Sequence, residues 1–149
     1  MRSQRFFGLM MLLISVAIVG GCEPKSNVIP VTGIVKIGSE PLEFIHVEFW
    51  PDGGQRSFGK TDASGKFELQ TDDRQSVGAI PGVHKVVLKD TWHMQDDYIG
   101  DGGDWVDMSK GRKARISSKY YDALKTPLSV TVKPDEANQF EFVADPLGK

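Results

Sequence analysis

The chain has 149 residues, 40% of them hydrophobic and 26% charged, with a formal net charge of −2 and a single cysteine. That length allows one ordinary domain around one hydrophobic core, held together without an internal disulfide. The mildly acidic balance lacks the basic face that a nucleic-acid partner would require, so none is expected.

Arg2 and Arg5 open the chain, and Phe6 to Val19 carries no charge before the small pair Gly20-Gly21 and Cys22. Basic residues, an apolar run and a small-residue cleavage site in that order predict a secretory signal over residues 1–21. The apolar run is shorter than the ~20 residues a membrane-spanning helix needs. Val19-Gly20-Gly21-Cys22 resembles the lipobox of bacterial lipoproteins, whose cysteine sulfur receives a diacylglyceryl group and becomes the first mature residue. The resemblance implies lipidation at Cys22, export from the cytoplasm, and a cell-envelope protein partnered with a membrane through its lipid. Stable attachment follows when two or more acyl chains are buried, at about 0.8 kcal/mol per CH₂. Residues 22–29, polar from Glu23 to Asn27, are expected to be the tether, and 30–145 the domain.

From Val31 the text is strand-like. Val31, Gly33, Val35 and Ile37 alternate with Thr32, Ile34 and Lys36, the period of an extended chain with two unlike faces. Gly38-Ser39-Glu40-Pro41 marks a turn. Ile45, Val47 and Phe49 alternate with His46 and Glu48 up to Pro51-Asp52-Gly53-Gly54. Ser57 to Thr61 and Lys66 to Leu69 flank Asp62-Ala63-Ser64-Gly65, and that turn chemistry predicts a hairpin. In it Asp62 accepts from backbone donors, Gly65 takes a positive φ, and Phe67 and Leu69 point inward. Residues 70–81 are polar; Val83 to Leu88, Leu128 to Val132 and Phe140 to Phe142 are further strands. No stretch beyond the leader holds a helical period. Seven short strands with regular turns predict an all-β, antiparallel sandwich.

Several of these segments are familiar together. Val31-Thr32-Gly33-Ile34-Val35, Glu40-Pro41-Leu42, Val47-Glu48-Phe49, Thr61-Asp62-Ala63-Ser64-Gly65-Lys66-Phe67 and Ala79-Ile80-Pro81-Gly82 before His84-Lys85-Val86 resemble, in order, the motifs of carboxypeptidase regulatory-like domains. Ile116-Ser117-Ser118-Lys119-Tyr120, Thr126-Pro127-Leu128 and Phe140-Glu141-Phe142 are similar to small bacterial lipoproteins built on that domain. The resemblance implies a seven-stranded transthyretin-like (prealbumin-like, Ig-like) sandwich, generally an accessory or adhesive module without catalysis. The expected function is therefore a membrane-anchored, non-enzymatic module for binding or assembly, its partner an envelope protein or polysaccharide.

The exception to short connections is the insertion over residues 90–126. Loops of that length are usually functional or disordered. It carries Trp92, Asp96, Asp97, Asp101, Asp104 and Trp105, with His93, Tyr98 and Asp107 among them. Carboxylates beside exposed aromatic faces suit a glycan, and the oxygens suit calcium, which takes 6–8 of them. The spacing departs from the calcium-loop pattern D-x-[DN]-x-[DN]-G. A solvated acidic loop, with tryptophans capping one end of the sandwich, accounts for the same residues. Tyr120 and Tyr121 are expected to pack the return of the insertion onto the sheet. Zinc has no cysteine or clustered histidines to bind, and no metal or cofactor is assigned. A transthyretin-like hydrolase is a further alternative that would draw on His46 or His84. Neither stands near a recognisable nucleophile turn, and no Tyr-Arg-Gly-Ser segment occurs in the sequence. His46, on the polar parity of its strand, is expected to face solvent.

Overall fold

The alternation at Ile45, Val47 and Phe49 becomes strand β3 (Ile45–Pro51), with those three side chains fully buried and His46, Glu48 and Trp50 on the opposite face. The computed structural model describes residues 27–92, 98–99, 105–106 and 111–148, the two short pairs by their backbone. The strands before β3 are β1 (Val31–Ile37) and β2 (Glu40–Pro41). After it come β4 (Ser57–Lys60), β5 (Lys66–Glu68), β6 (Gln70–Thr71), β7 (Gly82–Asp90), β8 (Tyr98–Ile99), β9 (Trp105–Val106), β10 (Ser129–Val132) and β11 (Asn138–Val143). A short 3₁₀ turn spans Ser118–Tyr120. The chain is all-β in its described part, and each of the seven expected strands has a counterpart here. The count of seven falls short, because β2, β6, β8 and β9 are two-residue strands that carry too little alternation to be read from sequence.

Two main sheets face one another. One runs β10-β7-β3-β4-β6; in the other, β1 pairs β11 on one side and β2 and β5 on the other. Val31, Val35, Phe67, Leu69 and Phe142 meet Ile45, Val47, Phe49, Val86, Leu88 and Val132 in the core between them. Phe142 lies 6.1 Å from Phe67 and 6.2 Å from Phe49, ring centre to centre. Ile116, Tyr120 and, partly buried, Tyr121 pack the return of the insertion onto this core.

Two expectations are corrected. The sandwich is not wholly antiparallel: β1 and β11 pair in parallel, from Val31 opposite Asn138 to Lys36 opposite Val143. Period-two alternation assigns faces but carries no direction, so only the tertiary path decides this. The 57–69 segment is also no simple hairpin. β4 pairs β3 and β6 in one sheet, while β5 pairs β1 in the other. The turn itself is as its chemistry requires: Asp62 Oδ1 accepts from the backbone N–H groups of Ser64 (2.8 Å) and Lys66 (3.0 Å), and Gly65 has φ 74°. The strands then part into different sheets. Gly59 has no side chain where the Glu68 carbonyl crosses over it, and a Cβ there would collide with that oxygen. The 62–65 turn is therefore a corner joining the sheets.

Candidate functional site

The base of the 90–126 insertion is built around a buried charge. Asp90, the last residue of β7, has a fully buried side chain. Its carboxylate accepts from Arg115 N (2.7 Å), Nε (3.0 Å) and Nη2 (2.9 Å), and from Trp92 N (3.0 Å). Burial pushes the Asp90 carboxyl up, but these hydrogen bonds outweigh it and hold the group below its ordinary value. Arg115 Nη2 also donates to the Glu43 carbonyl, 2.6 Å away.

Trp92 lies over this pair. Its ring is 5.6 Å from Phe44, with the guanidinium groups of Arg112 and Arg115 at 4.2 and 5.1 Å. The indole, weighed from sequence as either a sugar platform or a cap on the sandwich, packs against Phe44 and two cations, an arrangement worth about 0.5–2 kcal/mol per cation. Of its predicted companions, Asp96, Asp97, Asp101 and Asp104 lie outside the described residues, as do His93 and Asp107. Trp105 is placed by its backbone alone, opposite Ile99 in the β8–β9 ladder. Cys22 and the leader also lie outside the described residues. Among the described residues no group of His, Cys, Asp and Glu could hold a metal ion, and no helix is long and apolar enough to cross a membrane.

A second concentration of chemistry covers the outer face of the β10-β7-β3-β4-β6 sheet. The strand period sends His46, Glu48 and Trp50 of β3 outward, beside Phe58 of β4 and Lys89 of β7. The Glu48 carboxylate accepts from Lys89 Nζ (2.6 Å) and Trp50 Nε1 (2.8 Å), and His46 Nε2 lies 3.4 Å away. Burial pushes Glu48 up, and the Lys89 and Trp50 hydrogen bonds bring it below the ordinary carboxylate range. His46, expected to face solvent, is half-buried. Burial lowers its pKa against the opposing pull of Glu48, so the ring is neutral at pH 7.

At the end of this row the Arg56 guanidinium sits 4.4 Å from the Trp50 ring centre while its Nε donates to Asp72 Oδ2 at 3.1 Å. Arg74 lies 6.0 Å from the Phe58 ring. Together these residues line a groove of about 540 Å³. A larger hollow of about 870 Å³ on the other sheet presents Lys66, Glu68 and Glu141 beside Thr32, Ile34 and Gln139. No ion pair joins the described charged residues that line it, whereas the smaller groove holds two, Lys89–Glu48 and Arg56–Asp72, and so the more concentrated chemistry.

The groove was only half-legible. The parity of β3 puts Trp50 and Glu48 on one face, but Arg56, Asp72 and Arg74 arrive from a bend and a loop with no period. The two histidines do not converge. His84 is fully buried among the inner residues, its ring 5.6 Å from Phe49, whereas His46 lies on the outer face of the same sheet. Fold and site together define an all-β, two-sheet protein with a charged aromatic groove on one outer face. Comparison of the chain with protein-family models, curated proteins and solved structures finds no match to any of them.

Proposed function

We propose that the chain is an envelope lipoprotein, anchored by acyl groups on Cys22, that presents a non-enzymatic carboxypeptidase regulatory-like sandwich for binding or assembly. The observation that carries this is the Val19-Gly20-Gly21-Cys22 sequence in register with the basic start and apolar run. Ile29 already bridges Ala79 of the domain and lies seven residue steps along the chain from Cys22. At about 3.3–3.6 Å per residue that tether reaches about 25 Å at most, which keeps the domain close to the lipid surface. The Asp62 corner and the facing sheets support the transthyretin-like assignment of the fold. Against the hydrolase alternative stands the placement of His46 and His84 on opposite faces of one sheet.

The test is Cys22→Ser. The wild-type chain should partition with membranes and incorporate labelled fatty acid, and the variant should do neither. A variant that still fractionates with membrane overturns the lipid anchor.

A further inference from the structure

We propose that the groove over β3, β4 and the 72–74 loop binds a small acidic saccharide, one or two sugar rings carrying a carboxylate. This goes beyond the anchored-module proposal and stands whether or not Cys22 is acylated.

Glu48 is matched by Lys89 at 2.6 Å and Asp72 by Arg56 at 3.1 Å. Arg74 lies against Phe58 with no carboxylate partner among the described residues, so the groove keeps one positive charge in excess. Arg56 spends only Nε on Asp72, and its two Nη groups donate to no described residue. Two guanidinium groups beside neighbouring rings, with N–H groups that donate to no described residue, are prepared for the planar, bidentate pairing that carboxylates favour.

Arg74 has φ 58°, a left-handed conformation that glycine or asparagine adopts more readily. Its loop enforces that conformation. Arg74 N donates to the Thr71 carbonyl (2.8 Å), Thr71 Oγ1 to Asp73 Oδ1 (2.6 Å), and Ser76 N to Thr71 Oγ1 (3.1 Å). A long cationic side chain is thus held at a strained position over the groove, where strain commonly marks function.

Size and lining identify the saccharide. A volume of about 540 Å³ lies within the usual range for small-ligand sites, about 300–1,000 Å³, and is compact for a protein partner burying ~800 Å² per side. Trp50 and Phe58 hold the guanidinium groups of Arg56 and Arg74 against their rings, and Asp72 and Glu48 offer acceptors for sugar hydroxyls.

The experiment titrates the full chain, purified in detergent, with digalacturonate, its methyl ester and tetraglutamate, by calorimetry. Digalacturonate should bind, and the neutral ester should bind about tenfold or more weakly, since a charge-assisted pair is lost. Arg74→Gly relieves the left-handed backbone, so it should keep the fold and still lose about tenfold or more in affinity. Arg74→Gln should lose as much, and its melting curve checks the result should the glycine variant unfold. Absence of digalacturonate binding, equal binding of the ester, or wild-type affinity in a folded Arg74 variant overturns the proposal. Equal binding of tetraglutamate overturns the saccharide assignment in favour of an acidic peptide. Because the readout does not involve Cys22, failure here and failure of the anchor are separate results.

Discussion

His84 sits on the inner face of β7, fully buried, with Nε2 2.8 Å from the Ile80 carbonyl oxygen and Nδ1 without a partner among the described residues. Burial lowers its pKa from the ordinary 6.5, against a smaller opposing pull from the Ile80 carbonyl. The folded state therefore takes up its proton later than the unfolded chain as the solution is acidified. The resulting stability is present above pH 6.5 and is lost as pH falls through the folded pKa. His46, half-buried, acts in the same direction. The urea midpoint should fall from pH 7 to pH 5, and His84→Leu should flatten that dependence. A midpoint that tracks pH equally in wild type and variant would assign the slope elsewhere. The strand that holds His84 was legible, but its burial on the side of Val86 and Leu88 was not assigned from sequence. The orphaned nitrogen was not legible either, because that depends on what the facing sheet brings to it.

At the scale of elements, the long connection is tied where it leaves and returns to the fold. Asp90 closes β7, Arg115 lies 25 residues further on, and their pairing makes the two ends of the insertion one unit. Arg115 is then held to the β2–β3 connection through Glu43. Removing one partner of a buried ion pair leaves the other charge stranded, which typically costs about 3–5 kcal/mol. Asp90→Asn should destabilise the domain by that order in urea denaturation at pH 7. A loss well below about 1 kcal/mol would mean that the clamp is ornamental. Since the folded pKa of Asp90 is depressed, its contribution is present above the ordinary 3.8 and disappears as pH falls through the lower folded value. Sequence showed Asp90 only as the start of the insertion. Nothing local links it to Arg115, and Trp92, read as a candidate platform, is held by Asp90 and covered by Arg112.

For the whole molecule, the strand latest in the chain closes the core begun by the earliest. Phe142 on β11 meets Phe49 on β3, Phe67 on β5 and, at 6.2 Å, Phe140. Phe142→Ala removes a ring shared by both sheets and should cost about 3–5 kcal/mol, read as a lowered midpoint in urea. A near-neutral variant would show that the sheets hold without β11. Pairing β1 with β11 across most of the chain also makes the fold rich in long-range contacts, the regime of folding in milliseconds to seconds.

The sequence by itself determined the all-β character, the location of the longer strands, the alternating faces of β1 and β3, and the chemistry of the Asp62–Gly65 turn. These follow from alternation and side-chain-to-backbone bonding, which act within a few residues. It also carries the whole case for Cys22, because a processing signal is read along the chain. Tertiary structure alone decided that β11 runs parallel to β1, that the Asp62 turn is a corner between sheets, and that Asp90 finds Arg115. It also brought Arg56 and Arg74 over Trp50 and Phe58. Each of these depends on segments distant in sequence approaching in space, and a period of two residues does not encode the direction, the partner strand or the loop that will lie across its outer face.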